Sequence, residues 1–283
     1  MLTFPDNSLI VLGHGSTVND DSAAPVFQHA AELRRRGLFG EVREAFWKQE
    51  PKLAAVLASA ACPRVVVVPL FISEGYFTEE AIPEALGLKR PGESAWSRHG
   101  KVDGRVLHLT PPVGSDPSMT GLLLHRAAEV IELFPFPARP RTTDISLFIA
   151  GHGTERNRRS REAVEHQVAL VREMDLYADV RPCFIEEEPL IKGVPAAATT
   201  RNVVVAPFFI ADGLHVAEDI PLMLGEPEPV VRKRLAAGQP AWRNPTERNG
   251  RRIWVAQAIG TDPGMTGLIL NRAREALAGA AGE

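Results

Sequence analysis

The sequence predicts an α/β protein made of two duplicated lobes, each an open parallel sheet with helices on both faces. Three observations carry that expectation: a long internal repeat, apolar β-branched runs alternating with helical stretches in each copy, and a Pro-rich joint between the copies. "LIVLGHGST" (9–17) returns as "LFIAGHGTE" (147–155), so His152 follows His14 by 138 positions. The same offset carries Glu50-Pro51 onto Glu188-Pro189, Gly75 onto Gly213 and Ile82-Pro83 onto Ile220-Pro221. An eight-residue insertion near 227–240 raises the offset to 146. That offset carries Trp96 onto Trp242 and "GSDPSMTGLLLHRA" (114–127) onto "GTDPGMTGLILNRA" (260–273). A period this long marks duplicated domains rather than a solenoid. "LFPFPARPRTTD" (133–144) is composed as a linker, which places the lobes at 1–137 and 138–283.

Each copy repeats one order of elements. "LIVLG" and "LFIAG" read as buried strands ending in a Gly-His-Gly turn. A polar helix follows, "DSAAPVFQHAAELRRRG" in one copy and "SREAVEHQVALVREM" in the other. A second strand, "EVREAFW" or "DVRPCFIE", precedes a helix expected to start after Glu-Pro, with the proline in its first turn. The third strand, "RVVVVPLFI" or "NVVVAPFFI", is the most apolar. A last strand, "GRVLHLT" or "RRIWVAQAI", leads into a closing helix. Asp116 and Asp262 are expected as its N-caps, with Pro117 and Pro263 at the first helical position.

Composition bounds the function. A chain of 283 residues, 45% hydrophobic and 24% charged, can fill two ordinary cores. A formal charge of −3 argues against a globally basic nucleic-acid binder. No apolar run reaches the roughly 20 residues of a membrane span, and the first residues do not read as a secretory signal. Cys62 and Cys183 form no CxxC pair, so both are expected as reduced, buried thiols in a cytoplasm. A monomer or a homodimer fits these numbers equally.

The copies differ where it matters most. In open parallel sheets ligands gather at the carboxyl ends of the strands. After the first strand both copies keep histidine, His14 and His152. At the second strand's end the first copy has Lys48 and the second Glu186; after the third, Phe77 faces His215. Two imidazoles and a carboxylate suit cobalt, nickel, iron(II) or zinc, whereas ammonium and phenyl groups abolish such a set. The second lobe is thus read as the working half, with metal ligands His152, Glu186 and His215. Glu187 and Glu188 compete with Glu186; alternation turns Glu187 to the other face, and Glu188 has a counterpart in Glu50.

"GHGTERN", "FIEEEP" and above all "PFFIADGLHVAEDIP" (207–221) resemble the class II tetrapyrrole chelatases, in particular their sirohydrochlorin cobaltochelatase and ferrochelatase branch. The resemblance covers nearly all of the chain. It implies two flavodoxin-like lobes with a cleft between them, and a lyase-type chelatase that inserts a divalent metal into sirohydrochlorin, or a related tetrapyrrole of cobalamin and sirohaem biosynthesis, without ATP. The absence of a GxxxxGK[ST] phosphate loop agrees. It also implies that His152 and His215 are the family's paired histidines and Glu186 their acidic partner, catalytic as well as metal-binding. Cobalt is the first choice by resemblance, with iron and nickel as alternatives, and no cofactor is expected beyond that substrate metal. His14 matches the first-lobe turn, but its companion is Phe77.

A polycarboxylate substrate needs cations. Arg156, Arg158, Arg159 and Arg161 follow His152 near a helix start; Arg156 and Arg158, with Lys48 and His14, are the expected substrate contacts. Two rivals stand beside this reading. A histidine phosphatase would carry arginine where Gly13 and Gly151 stand. A non-catalytic metal- or tetrapyrrole-binding protein descended from a chelatase would explain the altered first copy.

Overall fold

The structure is a computed structural model and describes residues 3–17, 20–154 and 158–279. The first repeat runs β1 (Phe4–Gly13), α1 (Ala24–Arg36), β2 (Phe39–Phe46), α2 (Leu53–Ala58), β3 (Arg64–Pro69), α3 (Ile82–Ala85), β4 (His99–Val102), β5 (Arg105–Leu109) and α4 (Met119–Leu133). The second runs β6 (Ile145–Gly151), α5 (Arg158–Glu173), β7 (Asp179–Phe184), α6 (Val194–Ala197), β8 (Asn202–Pro207), α7 (Ile220–Met223), α8 (Glu228–Ala236), β9 (Thr246–Arg248), β10 (Arg251–Val255) and α9 (Met265–Gly279). Among the described residues these strands form two five-stranded sheets, ordered β2-β1-β3-β5-β4 and β7-β6-β8-β10-β9.

Four strands of each sheet are parallel, as the alternating pattern requires. The fifth, β4 or β9, is a short antiparallel edge that the pattern did not show. Its residues are polar and few, so no apolar run announces it. His99 lies in β4 directly opposite His108. The central strands are buried on both faces: Leu9 to Leu12, Val65 to Val68 and Val203 to Ala206 are all at 0% exposure. Pro182 is tolerated in β7 because that strand is an edge.

Packing divides the chain at other points than the repeat does. The sequence boundary at 137/138 follows the duplication, but the compact units are Met1–Asp116 with Pro263–Glu283, and Pro117–Asp262. Helix α9 lies against α1, β3 and β5, and α4 against α5, β8 and β10. Each repeat therefore lends its closing helix to the sheet of the other. Two side-chain pairs, equivalent under the repeat, register the exchange. Thr266 Oγ1 lies 2.9 Å from His29 Nδ1 within unit 1, and Thr120 donates to Gln167 Oε1 at 2.7 Å within unit 2. His29, with no function read for it, is thus a buried anchor for α9.

Several boundaries need correction. Helices α4 and α9 begin at Met119 and Met265, two residues beyond Pro117 and Pro263. The carboxylates before them reach arginines on the docked helices, with Asp116 3.4 Å from Arg272 Nε and Asp262 3.6 Å from Arg126 Nε. Pro51 and Pro189 follow cis peptide bonds in turns ahead of their helices, not in a first helical turn. Cys183 is buried and burial pushes its thiol up, but Cys62, just before β3 at the sheet's amino end, is only partly covered. No helix among the described residues is long and apolar enough to cross a membrane.

Candidate functional site

Three adjacent strands of unit 2, β7, β6 and β8, end side by side. Gly151 ends β6 where a Cβ would come within 2.5 Å of Val164 on α5, so the missing side chain lets helix and strand close up. Gly153 turns the chain at φ +64°, a left-handed conformation that glycine adopts at little cost. Between them the carbonyl of His152 accepts the amide protons of Ile185 and Glu186, each at 3.1 Å. The turn is thereby tied to the end of β7, and its histidine is presented above the sheet.

His215 opens a π-helical turn, His215–Asp219, closed by the Ile220 amide donating to the His215 carbonyl. The His152 and His215 rings stand edge to face with centroids 4.7 Å apart and an interplanar angle of 89°. The sequence-based pairing of these two residues thus appears in the geometry. Acceptors at both Nδ1 atoms fix the tautomers. Gly153 O lies 3.0 Å from His152 Nδ1, and Asp219 Oδ2 lies 2.7 Å from His215 Nδ1. A carbonyl or carboxylate oxygen only accepts, so each neutral ring carries its proton on Nδ1 and keeps its lone pair on Nε2.

Glu186 Oε2 lies 3.6 Å from His152 Nδ1, on the protonated side of the ring, and the side chain is half-exposed. No group of three or more His, Cys, Asp or Glu side chains among the described residues is gathered closely enough to hold a metal ion. The arrangement is therefore a pair of imidazoles with a half-exposed carboxylate beside it, not a closed cage.

Glu187 and Glu188 have separate duties. Glu187 Oε2 pairs with Arg161 at 3.1 Å, with its stem under Gly153, while Glu188 Oε2 accepts the Leu190 amide at 3.1 Å. Glu50 makes the equivalent bond to Lys52 N at 3.0 Å, which accounts for the conserved register of Glu188 as structural. Arg161 is committed inside the unit: it bonds Glu165 and the Glu188 carbonyl and lies over the Phe184 ring. Those bonds, to Glu165 first and to Glu187 after it, raise its pKa. It is not available as a substrate clamp. Arg158, the first residue of α5, is exposed, and Arg156 lies outside the described residues.

Unit 1 keeps the frame and the first histidine, with other side chains at the remaining two positions. His14 Nδ1 lies 2.9 Å from Gly15 O, and its ring stands edge-on to Phe77 at 4.8 Å and 80°. Trp47 and Tyr76 pack against Phe77, and Lys48 is exposed at the place of Glu186. Sequence reasoning missed Asp219. Its signal was present, because the repeat partner of Asp219 is Ala81, so the carboxylate appears only beside the second histidine. A separate cavity of about 640 Å³ in unit 2 is lined by Val216, Ala217 and Pro221 but by neither histidine.

Known proteins resemble this chain in sequence and fold. The CbiX family model matches the chain twice, over residues 8–130 and 146–276. A protein of Halobacterium salinarum named as a probable sirohydrochlorin cobaltochelatase is 36% identical over 279 residues, covering 95% of this chain and 91% of its own. A multi-domain protein of Deinococcus radiodurans, described as structurally similar to chelatases, superposes with a TM-score of 0.75 at 28% identity over 95% of this chain. The present chain spans only 55% of that protein. CbiX described as the terminal enzyme of sirohaem biosynthesis in denitrifying bacteria superposes at 0.61 with 22% identity, covering 96% of this chain and 99% of its own, a likeness of fold. Both halves of the duplication match the same family model, and the chain belongs to the CbiX family of chelatases.

Proposed function

We propose that this protein inserts a divalent metal, cobalt in the first place, into sirohydrochlorin or a related tetrapyrrole of cobalamin or sirohaem biosynthesis, without ATP. The observation that carries the reading is the edge-to-face pair His152/His215, with both Nε2 lone pairs left for a metal. The name of the Halobacterium relative supports the substrate and the metal. Iron and nickel suit the same donors.

The reaction exchanges one metal dication for two pyrrole N–H protons. A site for it must grip the metal and then let it go. Two imidazoles leave most of the coordination shell open, as sites that act on a metal-bound partner require. Glu186, half-exposed, can swing to complete the set while the metal is held. When the metal passes to the macrocycle, the vacated Nε2 atoms become bases for the departing protons. Asp219 behind His215 and Glu186 near the Nδ1 of His152 stabilise the imidazolium ions that result. Lys48 and Arg158, both exposed, and His14 remain proposed contacts for substrate carboxylates, as does Arg156.

An anaerobic assay tests this reading. Sirohydrochlorin and cobalt(II) are mixed with wild type, His215→Ala and His14→Ala, and the visible spectrum is followed. Insertion lost with His215→Ala and kept with His14→Ala is expected. No acceleration by the wild type with cobalt, iron or nickel would leave a binding protein. Lys48→Ala should raise the substrate KM, and an unchanged KM would remove Lys48 from the site.

A further inference from the structure

The cavity of about 640 Å³ in unit 2 is built from the parts in which the second repeat's surroundings depart most from the first's. One wall is α8 and the stretch after it, with Arg234, Leu235 and Pro240, which belongs to the insertion at 227–240. Another is the end of α4 with Phe134 just beyond it, where Leu133 stands at the position of Gly279 in the second repeat's own closing helix. The corresponding place in unit 1 is a smaller cavity of about 390 Å³ whose lining includes the charged or titratable side chains of Arg98, His108, Arg272 and Glu275. The fold leaves a cavity at this place in both units, and the inserted stretch makes that of unit 2 the larger.

Its polar groups are mostly spent on the protein itself. Trp242 Nε1 donates to the Ile253 carbonyl at 3.2 Å and so offers the cavity only its ring. The Asn244 amide bonds both the N–H and the C=O of Val255, at 2.8 and 2.9 Å. Asp212 accepts the Ala258 amide at 2.6 Å, and Glu129 pairs with Arg126. Two guanidinium groups are left over. Arg234 uses its Nε on the Pro240 carbonyl, Arg243 is exposed, and neither has a carboxylate partner among the described residues. An apolar cavity of this size with two unneutralised arginines recognises an apolar body that carries negative charge.

We propose that this cavity is a second ligand site of unit 2, for a small molecule with an apolar body and one or two carboxylate or sulfonate groups. It goes beyond the chelatase reading and does not depend on it. Val216 and Ala217, two of its lining residues, directly follow His215 in the π-helical turn.

The test uses the full chain and 8-anilinonaphthalene-1-sulfonate as probe, with decanoate as competitor. Saturable binding of one probe per chain, displaced by decanoate, is expected. Arg234→Glu/Arg243→Glu should weaken it at least tenfold with an unchanged melting temperature. His152→Ala/His215→Ala should leave it as in wild type, which separates this site from the metal pair. If the double arginine variant melts early, Arg243→Glu alone decides, since that side chain is exposed. Non-saturable binding, or equal affinity in wild type and the arginine variant, overturns the proposal.

Discussion

Asp219 accepts the Nδ1 proton of His215 across 2.7 Å, and the residue at the matching place in the other repeat is Ala81. A carboxylate behind an imidazole fixes the tautomer and makes the far nitrogen a better donor, and such partners are commonly worth 10- to 100-fold in metal affinity. Asp219→Ala should therefore weaken cobalt(II) binding by about 10- to 100-fold in calorimetry. The fold should be unaffected, because Ala81 ends an equivalent π-helical turn without a carboxylate. Unchanged affinity would mean that His215 is not a ligand through Nε2.

The altered unit can be used to test what disables it. His14 already stands over Phe77 in the pose that His152 holds over His215, at 4.8 against 4.7 Å. Phe77→His with Ala81→Asp and Lys48→Glu restores every donor that the comparison of repeats found missing. Cobalt titration of that triple variant should show a second equivalent, weaker than the first because Trp47 still crowds the ring where unit 2 has Ile185. A single equivalent would show that the lost side chains do not explain the difference between units.

The sheets and the paired histidines were legible because they depend on local pattern: valine runs buried on both faces, and glycines flanking one histidine. What the pattern could not show depends on partners distant in sequence. The exchange of α4 and α9 leaves no local mark, since each helix has the same amphipathic face whichever sheet receives it. Thr120, Thr266 and His29 acquire meaning only from the residues they meet. Four arginines crowd the stretch after His152, and the sequence does not show that Glu165 and Glu187, on a helix face and a neighbouring strand end, take up Arg161. Glu186 lies beside His152, but spacing could not tell which ring nitrogen it would approach.

Acid should weaken unit 1 through one histidine. His108 is 5% exposed, and burial first, then the nearby His99 and Arg64, holds its imidazole below the usual 6.5. The unfolded chain takes up that proton first as pH falls, so folding loses stability below about pH 6.5 and keeps all of it above. The melting temperature should drop between pH 7 and pH 5, and less so in His108→Phe, whose ring faces a cavity with room for it. Equal drops in the two proteins would remove His108 from the acid response.

The helix exchange makes opposite demands on two chains of equal length. Residues 117–262 form one compact unit with α4 in place, and Trp254 Nε1 donates to the Phe134 carbonyl at 2.9 Å within it. Residues 138–283, the second repeat as the sequence divides it, lack α4 and carry α9 away from its sheet. Met119, Leu123, Val130 and Ile131 of α4 are buried. At roughly 1.5–3 kcal/mol for each large apolar side chain, their loss is comparable to the whole stability of an ordinary domain. The 117–262 chain should melt cooperatively in calorimetry. The 138–283 chain should lack a cooperative transition, because an apolar sheet face and an apolar helix face are both left open to water. Cooperative melting of 138–283 alone would show that α9 can take the place of α4, and the exchange would then be a choice of the fold rather than a requirement of the unit.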